Sequence, residues 1–506
     1  MGLFAGTSDG LKLRNFSLLL VATGLLAAVF ADVQVHASEP WGHLGTMLQG
    51  LFSPSVSDVQ GLGLDLFYTL SFALLGVSLA VVAGLLLSLL YRYPIVRFIC
   101  AFFRAIHELF WALLFMQLFG LSASTAILAI TIPYACTFAR VYHDIYQHAP
   151  IKLAQLPELA DSKFSHFLYV LLPQVWPQMR SYLRYRFECG VRTSAVLGFV
   201  GLPTIGFHLE TAFKQGDYSY AGALLLAFFL LIASIKYWLK IYLLPLYIAI
   251  ALWFLPRSEF TNSSDNIWRF FSADIWPSVV KNVELSMLEK LSAYAQWLNS
   301  LMLEQGLPGI ASTLLLSLMA LAATYLLCII LVPLLNCIRR QWLMNGFGQC
   351  LLLVMRSTPE YILAFVLLLL LGPSMLPAVI ALAIHNSGLI SYLLQRDITT
   401  LETGTEVTEP GSFSVFLYKT MPNLYSKFIS LLMYRAEIIL RESAILGVLG
   451  VTTLGFYIDS AFEDFRFDRA LALLVITALL NVLVDQLSRK LQLCFSDQGI
   501  RVRSKD

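Results

Sequence analysis

The strongest constraint on the fold is a succession of twelve mostly apolar segments. A helix that crosses a bilayer needs about 20 such residues, and most of the segments approach or exceed that length. The shortest, 241–256, contains Pro245. We therefore expect an all-α transmembrane protein of about twelve helices. The predicted spans are 15–34, 64–91, 103–121, 123–143, 178–203, 218–235, 241–256, 309–336, 355–371, 375–395, 427–453 and 467–487.

The composition supports this prediction and excludes several classes of protein. Of the 506 residues, 58% are apolar and 13% are charged, whereas a soluble domain carries roughly 25% charged residues. No nucleic-acid partner is indicated. Seven cysteines occur without Cys-x-x-Cys spacing, so we expect small buried hydrophobes, with neither a metal site nor disulfides.

The distribution of lysine and arginine predicts the orientation. Basic residues such as Lys12, Arg92, Lys236 and Arg340 fall on one side, while the opposite segment 35–62 has none. By the positive-inside rule both termini are cytoplasmic. The stretch from Phe16 to Phe30 has the pattern of a secretory signal, but we interpret it as a retained first span.

The second half of the chain repeats the first. The segment Arg104-Ala-Ile-His-Glu108 matches Arg356-Ser-Thr-Pro-Glu360 at an offset of 252. Further along the offset is 249, where Tyr185-Arg-Phe-Glu188 matches Tyr434-Arg-Ala-Glu437. The second copy also repeats Leu197-Gly-x-x-Gly201 and Gly206, as Leu446-Gly-x-x-Gly450 and Gly455.

Each copy holds six predicted spans, so both copies cross the membrane in the same direction. We place the first six-span unit at 1–238 and the second at 239–506. Two such parallel repeats form a pseudo-dimer, with a transport path expected between them. The repeated glycines are expected to permit close helix packing or an irregular turn.

At these residues the chain resembles the permeases of phosphonate-type ABC importers. The resemblance is carried by Glu108-Leu-Phe-Trp-Ala-Leu-Leu-Phe, Leu172-Pro-Gln-Val-Trp-Pro-Gln178, Tyr185-Arg-Phe-Glu188 and Leu197-Gly-Phe-Val-Gly201. It covers nearly the whole chain, as two copies of a unit that usually occupies one polypeptide. It implies the type I ABC importer permease fold in a bacterial inner membrane and a small phosphonate-like oxyanion as substrate.

The resemblance also implies partners. The chain has no Gly-x-x-x-x-Gly-Lys-Ser/Thr phosphate-binding loop, so it is not expected to be the ATPase. The resemblance implies a transport subunit that is not an enzyme and holds no cofactor of its own. Two separate ABC ATPase subunits with ATP-Mg would supply the energy, and an extracytoplasmic binding protein would deliver the substrate.

The loops expected to dock on the ATPase depart from the family pattern. Ala154 and Ala160 stand where the family's coupling signature has glutamate and glycine, and Thr403 and Glu409 stand there in the second copy, with Gly411 close by. Both loops keep their length. The residues assigned to ATPase coupling are Glu158, Asp161, Lys163, Phe164, Gly411, Phe413 and Phe416.

Two charged pairs are the candidate substrate path. Glu188 with Arg192, and Glu437 with Arg441, have the i,i+4 spacing and order that favour an ion pair on a helix. A charge at mid-membrane costs at least about 2.5 kcal/mol, so such groups face protein or water. Each pair either neutralises itself so that the helix can insert, or its arginine presents two donors to a passing oxyanion.

Three further polar positions have simpler interpretations. His385 lies inside a span beside Asn386 and Ser387, where it either forms helix–helix hydrogen bonds or lines the path. Arg186 and Arg435 lie nearer the expected cytoplasmic end, where we expect them to extend to the membrane surface.

Other functions stay open at this point. The substrate could be phosphate, phosphite or another small solute. An ion-driven secondary transporter would need carboxylates without partners in mid-span, and most of those present are matched with arginines. A membrane scaffold without transport fits the repeated charge pairs poorly.

Overall fold

In a computed structural model of the chain, every regular element among the described residues is helical. The structure describes residues 8–56, 58–147, 169, 172–256, 263–281, 286–339, 342–404 and 416–503. The helices are α1 (Ser8–Phe30), α2 (Pro40–Phe52), α3 (Val59–Leu90), α4 (Pro94–Ala105), α5 (Glu108–Phe119), α6 (Ala123–Gln147), α7 (Leu172–Val196), α8 (Ile205–Gln215), α9 (Tyr218–Trp238), α10 (Leu244–Trp253), α11 (Ser263–Arg269), α12 (Ser278–Lys281), α13 (Met287–Leu301), α14 (Leu307–Arg339), α15 (Trp342–Ser357), α16 (Glu360–Leu371), α17 (Met375–Gly404), α18 (Met421–Ile445), α19 (Leu454–Glu463) and α20 (Phe467–Arg503).

Seven helical segments in the described part of the chain are long and apolar enough to cross a membrane. Four bent helix pairs raise that number to as many as 11 if each pair is one span. The weakest predicted span, 241–256, is a short apolar helix over Ile241–Trp253. The structure is thus that of an all-α membrane protein.

The predicted spans at 103–121 and 355–371 are not straight in the structure, and their crossing of the membrane stays a prediction. Each contains a near right-angle break, of 88° between α4 and α5 and of 91° between α15 and α16. Ile106, with ψ of 129°, and Pro359, with ψ of 136°, have extended backbone at these breaks. His107 caps α5, because its Nδ1 accepts a hydrogen bond from the Leu109 amide at 3.2 Å, whereas Pro359 has no amide proton to continue a helix.

The chain packs as two compact units. A continuous unit spans Gly45–Ala273, and a composite unit joins the residues up to Leu44 with Asp274–Asp506. In the continuous unit a long helix (α3), a bent pair (α4–α5), a second long helix (α6), a second bent pair (α7–α8) and α9 follow one another. The composite unit has the same order in α14, α15–α16, α17, α18–α19 and α20.

The helix α1 packs within the composite unit, mainly against α14. Ser17 Oγ and Tyr425 Oη are 2.5 Å apart, and the Asp32 carbonyl accepts from the Met375 amide at 2.9 Å. In the continuous unit the short α10 packs against α3. The predicted units at 1–238 and 239–506 are copies of a sequence, so this different division by packing leaves their boundary a prediction.

Matching glycine turns connect each second bent pair. After α7 and α18 the chain makes one turn of 3₁₀-helix that ends at Gly201, with φ of +90°, and at Gly450, with φ of +93°. A Cβ at Gly206 would overlap the carbonyl oxygen of Ala195. The expectation that these glycines permit an irregular turn and close packing is confirmed.

Candidate functional site: buried polar clusters and the charged helices

A polar cluster lies inside the composite unit, where α17, α18 and the break before α16 meet. Arg435 on α18 donates through Nε to Oδ1 of Asn386 on α17 at 2.6 Å. Its Nη2 lies 4.0 Å from Oε1 of Glu442, whose Oε2 accepts from Nδ2 of Asn386 at 3.4 Å. We call Asn386, Arg435 and Glu442 the composite-unit triad. All three side chains are buried.

His385 extends this network to the break between α15 and α16. Its Nδ1 is 2.9 Å from the Thr358 carbonyl, and its Nε2 is 3.5 Å from Oε2 of Glu360. Thr358 lies immediately before the extended Pro359, so the imidazole bonds a carbonyl that the interrupted helix leaves available. With only 2% of its surface exposed, His385 makes polar contacts between helices, and its role as a path residue stays a prediction.

The corresponding positions of the continuous unit also meet. At offsets of 252 and 249, Asn386, Arg435 and Glu442 correspond to Tyr134, Arg186 and Thr193. The Arg186 guanidinium lies 4.1 Å from the centroid of the Tyr134 ring, and Tyr134 Oη is 3.1 Å from Thr193 Oγ1.

The composite-unit triad and the corresponding residues Tyr134, Arg186 and Thr193 differ in charge. In the composite unit an arginine faces a carboxylate and an amide, whereas in the continuous unit it faces a phenol ring and that phenol bonds a hydroxyl. A cation over an aromatic face is attracted by the quadrupole of the ring, so Tyr134 stabilises Arg186 without a carboxylate.

The expectation that Arg435 extends to the membrane surface is wrong. Its side chain is buried because Asn386 and Glu442 satisfy its donors inside the protein. Sequence reasoning also missed Tyr134, Thr193 and Glu442 as partners. A usable signal was present, since the arginine recurs in both copies and Asn386 stands in a span otherwise rich in apolar residues.

The predicted path residues lie on the same two helices as the triad arginines. Glu188 and Arg192 are on α7, and Glu437 and Arg441 are on α18, all with partly exposed side chains. Arg192 Nη2 is 3.1 Å from Sγ of Cys189.

With 100° per residue, the triad positions 186 and 193 share one face of α7. The positions 188 and 192 share another face, about 130° away around the helix axis. The contacts of Arg186 and Thr193 with α6, and of Arg435 and Glu442 with α17, therefore fix one face of each helix. The i,i+4 ion pairs on the other face stay a prediction.

Most of the residues predicted to couple to an ATPase lie outside the described part of the chain. These are Glu158, Asp161, Lys163, Phe164, Gly411 and Phe413. Phe416 is described, and its side chain is 4% exposed. A docking role for Phe416 therefore stays a prediction and would require its ring to leave the protein interior.

The described cysteines agree with the expected buried role in part. Cys100, Cys136 and Cys328 are buried, but Cys350 is exposed, so the expectation is wrong there. Across the described residues no cluster of three or more histidine, cysteine, aspartate or glutamate side chains could hold a metal ion.

Comparison with known proteins shows that the chain is similar to transport permeases. It is 25% identical over 484 residues to the phosphate-import permease protein PhnE of Mycolicibacterium smegmatis, a match that covers 87% of each chain. No family model matches the chain. No solved structure matches it either.

Two shorter relatives each match only part of the chain. The phosphite transport system permease protein PtxC of Stutzerimonas stutzeri is 25% identical over 216 residues, which are 42% of this chain and 76% of that protein. The putative cryptic phosphonate transport system permease protein PhnE2 of Escherichia coli is 29% identical over 117 residues, 22% of this chain and 96% of that protein. The chain is therefore homologous to the permease components of phosphate, phosphite and phosphonate transport systems, and the resemblance that its motifs predicted is confirmed.

Proposed function

We propose that this chain is the transmembrane permease of a bacterial ABC importer for a small phosphorus oxyanion. The observation that carries the proposal is the match to a phosphate-import permease over 87% of both chains. The phosphite and phosphonate permeases among its relatives support the same chemical class of substrate.

The chain supplies both halves of the permease, as two parallel six-span copies of the type I importer fold that form a pseudo-dimer. Two observations support this arrangement. The 216 residues that align with 76% of PtxC are only 42% of this chain. The two compact units also repeat one order of straight helices and bent pairs. Twelve helices result if each bent pair and the short Ile241–Trp253 helix cross the membrane.

The energy comes from two separate ATPase subunits, and a binding protein on the outer side delivers the substrate. The ATPases dock on the loops near 154–170 and 405–418, and both termini face the cytoplasm. Because one chain contains both halves, one copy binds two ATPase subunits. Arg192 and Arg441 are the donors to the passing anion, since a guanidinium matches an oxyanion with two parallel hydrogen bonds.

Reconstitution tests this function. The chain, its ATPase subunits and its binding protein are placed in proteoliposomes, and uptake of radiolabelled phosphate is measured with unlabelled phosphite or methylphosphonate as competitor. We expect accumulation that requires both ATP and the binding protein, with the strongest competitor identifying the substrate. Uptake driven by a proton or sodium gradient without ATP would contradict the proposal.

The mass of the purified complex tests the stoichiometry. One copy of this chain with two ATPase subunits is expected. Two copies of this chain in the complex would contradict the pseudo-dimer while leaving the transport function intact.

A further inference from the structure

A partly open cavity of about 200 Å³ lies in the continuous unit, between α3, α7 and the segment that leads into α10, and its lining residues Arg184 and Lys240 are exposed. Ten of its fourteen lining residues are aliphatic or aromatic, including Val77 on α3, Phe187 on α7 and Leu244 on α10. Apolar cavities do not hold ordered water, because water there lacks hydrogen-bond partners. In a membrane protein the natural occupant of such a space is a hydrocarbon chain.

Three cations line the same cavity. Arg180 and Arg184 lie one turn apart on α7, and Lys240 lies before α10. The lining includes no carboxylate. Nε of Arg180 is buried without a hydrogen-bond partner, and neither arginine has an ion pair among the residues that the structure describes. The cavity therefore combines apolar walls with an uncompensated positive charge.

Along α7 the lining residues are Arg180, Leu183, Arg184 and Phe187 in that order, so the cations begin at one end of this wall and reach to within one turn of the aromatic ring. Arg180 and Phe187 are seven residues apart on α7, which corresponds to about 10 Å along a helix. Arg180 thus lies at one end of the α7 wall and the aromatic ring at the other. A ligand that fits both ends has an anionic head and an apolar tail.

The composite unit has no such cations at the corresponding place. At the offset of 249, Arg180 and Arg184 correspond to Ile429 and Met433. Both of these side chains are buried, with 0% and 3% of their surface exposed.

In the composite unit the long helix α1 fills the space that corresponds to the cavity. A Cβ at Gly24 of α1 would overlap the Cβ of Ala322 on α14. Thr69 accepts a hydrogen bond from the first amide of α8, and Thr313 accepts one from the first amide of α19, so these two threonines occupy equivalent positions. Ala322 lies nine residues after Thr313, and the cavity residue Ser78 lies nine residues after Thr69. Ala322 therefore corresponds to Ser78. The helix α1 has 23 residues and α10 has 10, so the shorter helix leaves the cavity open.

We propose that this cavity binds one anionic phospholipid. An acyl chain occupies the apolar space between α3, α7 and α10, and the phosphate is held by Arg180 and Arg184, with Lys240 beside it. Arginine suits this role because its planar group offers two donors to a phosphate. A free phosphorus oxyanion is a poorer occupant, since the apolar walls would strip its hydration without replacing those hydrogen bonds.

Native mass spectrometry of the full-length chain in detergent tests the proposal, with phosphatidylglycerol as the anionic probe and phosphatidylcholine as the zwitterionic one. We expect the wild type to retain one phosphatidylglycerol and to bind it at least tenfold more tightly than phosphatidylcholine. The double variant R180I/R184M introduces the residues of the second copy and should lose this preference. The matched control R92Q/R97Q removes two exposed arginines that do not line the cavity, and should keep it.

Two single variants distinguish a loss of lipid binding from a folding defect in the double variant. Lys240→Gln changes an exposed residue and should weaken phosphatidylglycerol binding several-fold. Ser78→Phe keeps all three cations and fills the cavity, so it should weaken both lipids. Equal retention of the two lipids by the wild type would overturn the proposal, as would unchanged binding in R180I/R184M. Displacement of the lipid by millimolar inorganic phosphate would show instead that the cations hold a free anion.

Discussion

Arg435 donates a hydrogen bond to Asn386 at 2.6 Å inside the composite unit. The two residues are 49 positions apart and belong to different helices, α18 and α17. Glu442, two turns further along α18, contacts both residues. This arrangement holds in place a helix that also carries Glu437 and Arg441, the predicted path residues.

Replacing Arg435 by methionine should destabilise the protein strongly. The change removes from the buried Glu442 the guanidinium that faces it at 4.0 Å, and breaking a buried ion pair costs about 3–5 kcal/mol. The double variant R435M/E442Q removes both charges and should recover much of that stability. Thermal unfolding in detergent measures both. The control R466M removes an exposed arginine and should change little, and an equal loss in R466M would refute the argument.

Gly206→Ala should destabilise the turn between α7 and α8. The added methyl group would overlap the backbone oxygen of Ala195, and forcing extra atoms into a packed site costs about 1–3 kcal/mol. Gly63→Ala is the control, because a Cβ at Gly63 in α3 meets nothing within 4 Å. This change should be neutral or slightly stabilising, because alanine is more favourable than glycine inside a helix. Equal thermal stability of the two variants would contradict the close approach.

Thr69→Val should cost more than Thr69→Ser. The Thr69 hydroxyl accepts from the Ile205 amide at 3.0 Å, and valine would leave that buried amide without a partner, at about 1–3 kcal/mol. Serine keeps the hydroxyl. The same comparison at Thr313, which accepts from the Leu454 amide at 3.0 Å, should give the same order. If valine and serine variants melt alike, the hydroxyl does not support the turn.

The double variant E188Q/R192M should abolish uptake while leaving expression and basal ATP hydrolysis of the assembled complex unchanged. Removing both charges avoids leaving one buried without its partner. Arg192→Lys should also reduce uptake, because an ammonium group lacks the planar pair of donors. E437Q/R441M is the equivalent change in the second copy. Normal uptake in both doubly neutralised proteins would assign the pairs a structural role only.

The membrane class, most of the apolar spans and the homology to oxyanion permeases follow from the amino-acid sequence alone. Hydrophobic length can be read locally, since each span must bury its own backbone hydrogen bonds in lipid. The repeated glycines also identified both irregular turns, because Gly201 and Gly450 adopt a backbone conformation that favours glycine. The pairs Glu188–Arg192 and Glu437–Arg441 were found through spacing on one helix, which is also a local property.

Contacts between residues far apart in the chain depend on how the helices pack, and they cannot be read from local sequence. The long helix α1 packs with α14, whereas the short α10 packs with α3 and leaves the cationic cavity open. The right-angle breaks at Ile106 and Pro359 lie within segments that are apolar enough to pass as straight spans. Partners such as Asn386 for Arg435 could not be predicted, because a buried charge is stabilised by whichever polar group the packing of other helices brings to it.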